Sequence, residues 1–383
     1  MQAWQLPEYI ADILPANARQ LESAKEELLE LFRVHGFELV LPPLMEYTSS
    51  LLVKNDKGLS LKTIRVVDQL SGLQLGLRAD ITPQVARIDA HLLSANTGVN
   101  RLCYAGSVLH ARPAHLMSTR EPLQVGAEIY GYAGVEADLE IIGLMLKALR
   151  LNQVQDIKLA LGHIGVFRAL AAEANLNADV ASDLLQAMQH KDKHEIALIL
   201  ADIELPIHLS EAFSQLPELY GDLDILDEAT KILPALPSIQ NALAQLKAVA
   251  DYFPKENIHI DLAELRVDSY HTGLLFAAYA PAWADAIARG GRYDNVGKVF
   301  GRARPATGFS FDLRDLMKVL PKNDRRLGIK VSAQDFQKAL NIVEALRAQG
   351  EAVVVDYLAQ GAQSLYCNRE LVFKDNEWQV VYC

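Results

Sequence analysis

After Asn17, apolar residues recur at helical spacing through Leu21, Ala24, Leu28, Leu31 and Phe32, which predicts an amphipathic helix. His35-Gly36 ends it, glycine supplying a left-handed cap. Phe37-Glu38-Leu39-Val40-Leu41 predicts a strand that stops at Pro42-Pro43. From Ile64 to Leu77 apolar and polar residues alternate about the turn Asp68-Gln69-Leu70-Ser71-Gly72, a hairpin pattern. Thr82-Pro83 opens another helix, because proline suits a first turn. Arg101 to His110 and Leu123 to Gly131 predict two strands joined by a polar loop containing Arg112, Pro113 and Arg120. Strands linked by hairpins argue for an antiparallel sheet flanked by helices, an α+β fold.

From about Ile164 to Val249 alanine and leucine dominate at helical spacing, which predicts a helical insertion for packing or partner binding. Strand patterns resume at Ile258–Leu262, Gly273–Ala277 and Gly308–Phe311. After Pro321, Gly328–Val331 predicts a strand, Ser332 an N-cap, and the following helix reaches Ala348 before the strand Ala352–Val355. Glu370 to Cys383 pairs two apolar runs across Lys374–Glu377, a hairpin. The expected organisation is a domain over 1–320, with its insertion at about 164–250, and a small α/β domain over 321–383.

Composition narrows the chemistry. The chain has 383 residues, half of them hydrophobic and 22% charged, as in a soluble globular protein of more than one core. A net charge of −11 gives no global attraction for a polyanion. The N-terminus carries Glu8 and Asp12 and lacks a signal-peptide pattern, and the uncharged stretch Thr272–Ala284 is too short to span a bilayer, so a cytoplasmic location is expected. Cys103, Cys367 and Cys383 form no metal or disulfide spacing. His190 and His194 share a helix face without the His-Glu-x-x-His pattern, so no metal and no cofactor is expected. Walker A, dinucleotide-fingerprint and Gly-x-Ser-x-Gly sequences are all missing.

Four stretches carry a resemblance. They are Gly36–Glu46, Leu77-Arg78-Ala79-Asp80-Ile81-Thr82-Pro83, Arg101–Gly131 with Gln124-Val125-Gly126-Ala127-Glu128, and Ala288-Arg289-Gly290-Gly291-Arg292-Tyr293-Asp294. Their order and spacing resemble the class II aminoacyl-tRNA synthetases, histidyl-tRNA synthetase in particular, from Asp12 to Leu316. The resemblance implies an antiparallel sheet flanked by helices and a dimer built through the first motif. It also implies a histidine pocket. Asp80, in place of a glutamate, with Thr82 and Gln124 matches the positions holding the α-ammonium; Glu128 and Tyr293 match those reading the imidazole; Arg266 matches the carboxylate contact. Tyr270-His271 stands where the family has paired tyrosines. A carboxylate next to a hydroxyl suits an ammonium, because charge-assisted bonds are the strong ones. Four residues apart on a strand, Gln124 and Glu128 share a face.

The nucleotide clamp differs. Where the family places an arginine on the ATP α-phosphate this chain has His110, with Arg112 at the following glutamate position. Ser118 replaces a loop arginine, and Asp315 replaces the arginine that stacks on adenine, with Arg314 displaced by one residue. Arginine serves phosphate through a charged planar fork, whereas a histidine near 6.5 is mostly neutral and an aspartate repels. A pocket kept while its clamp is lost is similar to the regulatory subunits of ATP phosphoribosyltransferase, synthetase-like partners of the first enzyme of histidine biosynthesis. That resemblance implies a non-catalytic subunit that activates the short catalytic subunit in a hetero-oligomer, a hetero-octamer, and mediates feedback by L-histidine. The C-terminal segment, shorter than an anticodon-binding domain, implies no tRNA binding. The alternatives are a divergent active histidyl-tRNA synthetase and an assembly protein with a vestigial pocket.

Overall fold

Period-two alternation along Leu123–Tyr130 decides which side of the main sheet is core and which is open. The computed structural model describes residues 4–52, 57–113, 118–263, 271–318, 327–359 and 365–383. Along the chain its strands are β1 (Glu38–Leu39), β2 (Met45–Tyr47), β3 (Arg65–Val67), β4 (Gln74–Leu77), β5 (Asn100–Ser107), β6 (Leu123–Tyr130), β7 (Lys158–His163), β8 (Tyr220–Gly221), β9 (Asn257–Asp261), β10 (Leu274–Tyr279), β11 (Ala288–Arg292), β12 (Ala306–Asp312), β13 (Gly328–Ser332), β14 (Val353–Asp356), β15 (Cys367–Lys374) and β16 (Glu377–Tyr382). Two compact units divide it, Met1–Leu320 and Pro321–Cys383.

The first unit is built on a nine-stranded sheet in the order β1-β5-β6-β12-β11-β10-β7-β9-β8. Its pairs are antiparallel except β1 with β5 and β7 with β9. Val125, Ala127 and Ile129 of β6 and Phe309 and Phe311 of β12 face the helices and are buried. They pack with Leu28 and Phe32 of the helix Pro15–Val34 and with Ile141, Ile142 and Met145 of the helix Val135–Leu151. Phe32 meets Phe309 edge to face at 6.0 Å between ring centres. The residues between, Gln124, Gly126 and Glu128, lie on the opposite face, in register with Asp312, Ser310 and Gly308 of β12. Arg289 and Gly291 of β11 continue those rows.

A second, three-stranded sheet, β2-β4-β3, carries the hairpin expected around Asp68. There Asp68 accepts from the amides of Leu70 and Ser71 and fixes the turn. The insertion is helical, from the helix Ile164–Glu173 to the helix Pro237–Tyr252, and is interrupted by the short β8.

The segment after Pro15 differs from expectation in one respect. Only Glu38–Leu39 of the strand expected over Phe37–Leu41 pairs, because it meets β5 over two residues before the prolines intervene. The helix opened by Thr82 continues into a π-helical turn, Ile88–Leu92.

The second unit is a four-stranded sheet, β14-β13-β15-β16, with Ile329, Val331 and Leu371 packed on Val343. Ser332 caps the helix Ala333–Phe336 by accepting from the Asp335 amide at 3.1 Å. The single helix expected to Ala348 is two, the second being Leu340–Ala348.

Candidate functional site: a carboxylate caged by hydroxyls

Four elements converge on the open face of β6. Asp80 follows β4 and Thr82 begins the helix Thr82–Arg87, so the loop between them arrives over the strand. Gln124 Nε2 donates to Asp80 Oδ1 at 2.7 Å and to Ser310 Oγ at 3.1 Å, while Gln124 Oε1 accepts from the Ile81 amide at 2.9 Å. Asp80 Oδ1 also accepts from the Thr82 amide at 3.1 Å. The Asp80 carboxylate and the Gln124 amide thus bond each other, and Asp80 also holds the Thr82 backbone amide, while the Thr82 hydroxyl turns to Glu128.

Glu128, 1% exposed, lies deeper. Its Oε1 accepts from the Thr82 hydroxyl at 3.0 Å and from the Tyr104 hydroxyl at 3.1 Å, and its Oε2 is bonded to the Tyr293 hydroxyl. Tyr130 Oη stands 3.2 Å from Tyr293 Oη and extends the chain of hydroxyls. Burial pushes the Glu128 carboxyl up to about 8, with Asp80 adding to the rise and the hydroxyls opposing it. Burial, then the charge of Glu128, raises Tyr104, Tyr130 and Tyr293 well above the ordinary phenol value.

His271 is buried with its ring edge-on to Tyr293 at 6.4 Å, and its carbonyl accepts from Arg168 at 2.6 Å. Asp80, Thr82, Gln124, Glu128, His271 and Tyr293 therefore form one continuous site. Arg266 and Tyr270 lie outside the described residues.

Glycines keep the floor of this site bare. A Cβ on Gly308 would fall on Glu128 Oε2, and one on Gly126 would fall on the Tyr104 hydroxyl. At Gly291 it would lie 2.8 Å from the His271 ring. Tyr104, Tyr130, Ser310 and Gly308 belong to the site although the motif reading did not single them out. The parity of β5 is the signal that finds Tyr104, which pairs with Gly126 and so shares the face of Glu128. Arg292, inside the most distinctive tract, turns the other way. It binds Asp138 at 2.6 Å and the carbonyls of Gly134 and Tyr132, with Asp138 fully buried.

The residues that the resemblance sets on the nucleotide side are tied up in local bonds. His110 Nε2 is 3.0 Å from the Ala79 carbonyl, and burial, with Lys62 nearby, holds the ring below its ordinary pKa and so neutral. Arg112 is exposed and Ser118 buried. In the short helix Leu313–Met317, Asp315 pairs with Lys318. Arg314 points to Glu121, 2.7 Å to its carbonyl and 3.0 Å to its carboxylate, and to the Ala11 carbonyl at 3.1 Å. Asp312, capping that helix, is pushed up to about 7 by burial and by Asp315. Among the described residues no three His, Cys, Asp or Glu side chains converge as metal ligands would.

Comparison with known proteins shows the family and the fold. Residues 9–316 match the family model described as histidyl-tRNA synthetase, and residues 326–381 match the ATP phosphoribosyltransferase subunit HisZ C-terminal domain. The ATP phosphoribosyltransferase regulatory subunit of Chromobacterium violaceum is 59% identical over 381 residues, covering 99% of both chains. The chain belongs to the family of ATP phosphoribosyltransferase regulatory subunits. The protein of the same name from Neisseria meningitidis serogroup C is 58% identical and is covered, like this chain, in full. Among solved structures, an ATP phosphoribosyltransferase regulatory subunit/histidyl-tRNA synthetase from Bacillus halodurans superposes with a TM-score of 0.82 at 25% identity, covering 95% of this chain and 96% of that one. Histidyl-tRNA synthetase from Nostoc, at 15% identity and a TM-score of 0.78 over 100% and 97%, shares the fold. The α+β, class II synthetase-like architecture read from the motifs is therefore the observed one.

Proposed function

We propose that the chain is a non-catalytic histidine sensor in L-histidine biosynthesis. It binds the short catalytic ATP phosphoribosyltransferase subunit, activates it, and transmits feedback inhibition when L-histidine fills the pocket of Asp80, Thr82, Gln124, Glu128, Arg266, Tyr270, His271 and Tyr293. The observation that carries this reading is the unbroken network from Asp80 and Gln124 through Thr82 to Glu128 and Tyr293. One end offers a carboxylate for an ammonium; the other offers a carboxyl and a phenol, bonded to each other here, either of which can pair with a ring nitrogen of an imidazole.

Adenylation is lost on this reading. A triphosphate would meet a neutral, tethered His110 and the carboxyls of Asp312 and Asp315 where the family supplies arginines. Each missing charge-assisted bond removes roughly 1.5–3 kcal/mol, before repulsion is counted. Exposed Leu41, Met45, Tyr47 and Val67 form an apolar surface on the first motif and its hairpin, which supports a homodimer there. The hetero-octamer and the absence of tRNA binding rest on the family resemblance and on the small size of the C-terminal unit. No helix among the described residues is long and apolar enough to cross a membrane, and a cytoplasmic subunit accords with that. Feedback requires histidine to bind the inhibited state of the complex better than the active one.

The test is a calorimetric titration of L-histidine into the full chain with Mg-ATP present, pyrophosphate being assayed alongside. Saturable binding of about one histidine per chain without pyrophosphate supports a sensor. Sustained pyrophosphate release would make the chain a working ligase, and silence would leave a scaffold.

A further inference from the structure

We propose that Glu128 meets its ligand as a proton donor: the empty pocket stores a proton on this carboxyl, a neutral imidazole takes it on binding, and the pocket thereby selects a side chain basic enough to become a cation in place. This deepens, and rests on, the histidine-binding reading.

The geometry behind it is a carboxyl surrounded by neutral groups. The loop and helix at 80–87 present Thr82 and, one step further, Asp80, whose own charge disfavours a second anion nearby. From β5 comes Tyr104, and from β6 itself Tyr130 and Gln124. Strand β12 offers Gly308 and Ser310, and the segment after β11 offers Tyr293. His271 meets the Tyr293 ring edge to face. Among the described residues the arginines near the cluster are paired elsewhere, Arg304 with Asp89 at 2.9 Å and Arg292 with Asp138 at 2.6 Å, the latter on the opposite face of the sheet. Among the described residues no cation forms an ion pair with Glu128. An ionised carboxylate there would be a buried charge held by hydroxyl bonds and with no counter-charge among the described residues, an expensive state. The elevated value of about 8 agrees with that argument.

The step balances without a further reactant. The carboxyl O–H breaks, the proton forms an N–H on the ring, and the pair left behind is carboxylate and imidazolium. Thr82 and Tyr104 donate to the new carboxylate, and the ring N–H replaces the Tyr293 hydroxyl as the partner of Oε2. Near neutrality no proton is exchanged with solvent. Below the ordinary imidazole value of about 6.5 the ligand arrives charged, and one proton is expelled. Above about 8 the carboxyl is already empty, and the complex must take one proton up.

The test measures L-histidine binding to the full chain in buffers of different ionisation enthalpy, at about pH 7 and about pH 9, for wild type and Glu128→Gln. The ligand α-ammonium and every other group of the protein are common to both, so the difference isolates Glu128. Expected is no exchange near pH 7. Near pH 9 the wild type should take up about one proton more than the variant and lose about tenfold in affinity relative to it, a pH unit above the carboxyl value being a factor of ten. A pyrazole analogue of histidine, isosteric but too weakly basic to accept the proton, should bind wild type at least tenfold more weakly than histidine does, with the gap closing in Glu128→Gln. An infrared band of a protonated carboxyl, present in free wild type and lost on adding histidine, is the signature that needs no variant. Uptake of about one proton by the wild type already near pH 7 would overturn the proposal, since Glu128 would then be ionised beforehand. Equal uptake in the two proteins at alkaline pH would overturn it too, since the ring would then bind neutral. Absence of histidine binding to both proteins at either pH would instead sink the histidine reading itself.

Discussion

Replacing Glu128 by glutamine should stabilise the ligand-free protein, and increasingly so as the pH rises. The folded state holds the Glu128 proton with a value near 8, against an ordinary glutamate value of 4.5. Folding therefore favours proton binding, and the stability tied to this group is fully present below about pH 4.5 and lost progressively as pH rises to about 8. A difference of three to four pKa units corresponds to about 5 kcal/mol across the full range. Roughly 3 kcal/mol of it falls between about pH 6 and about pH 9, because part is already gone at the lower limit. Glutamine is isosteric, accepts from Thr82 and Tyr104, and carries no titration. Urea unfolding of both proteins at fixed concentration across this range checks the claim, since every other titrating group cancels in the difference. The gap should widen in favour of Glu128→Gln by about 3 kcal/mol with unchanged m-values. Stability curves that stay parallel within about 0.5 kcal/mol would refute the reasoning, because the carboxylate would then be ionised when the pocket is empty.

Further expectations rest on other contacts. Glu128→Ala should relieve histidine feedback while complex formation with the catalytic subunit persists; inhibition at unchanged histidine concentrations speaks against the pocket as assigned. In Gly308→Ala the new methyl group occupies the space of Glu128 Oε2, so histidine affinity should fall more than tenfold with the circular dichroism spectrum retained. Arg292→Met leaves Asp138 buried without its partner and should cost about 3–5 kcal/mol in chemical denaturation, whereas a loss under about 1 kcal/mol would mean that the pair is solvated. Ser332→Ala removes the cap on the helix Ala333–Phe336 and should cost the second unit about 1 kcal/mol, readable as faster amide exchange at Asp335.

Much of the site was legible because strands obey a period of two. Gln124 and Glu128 fall on one face, and the apolar residues between them fall on the other. What escaped depends on pairing between distant segments. Tyr104 reads as a core aromatic until β5 is set against β6, where its hydroxyl meets a carboxyl 24 positions away. The π-helical turn Ile88–Leu92 has no local signature; Asp89 within it is held by Arg304, 215 positions along the chain, and by Asn100. Arg292 belongs to the most recognisable tract, yet it serves the fold, because β11 ends with that side chain turned toward the helix Val135–Leu151.

The positions that the resemblance sets on the nucleotide side show the reverse: the substitutions are plain in the sequence, and their physical surroundings needed the fold. His110 and Asp315 reveal that two arginines are missing, but Arg314, one position from the expected place, leaves open a substitute clamp. That escape is closed by geometry. In the helix Leu313–Met317 one residue turns a side chain by about 100°, and Arg314 is thereby aimed at Glu121 and the Ala11 carbonyl rather than at the open face. Recruiting it to a nucleotide would require breaking an ion pair and two carbonyl bonds, and placing the anion beside Asp312 and Asp315. At roughly 1 kcal/mol or more for each bond abandoned, these contacts hold Arg314 as a tether for the N-terminal segment and support the proposed loss of the clamp.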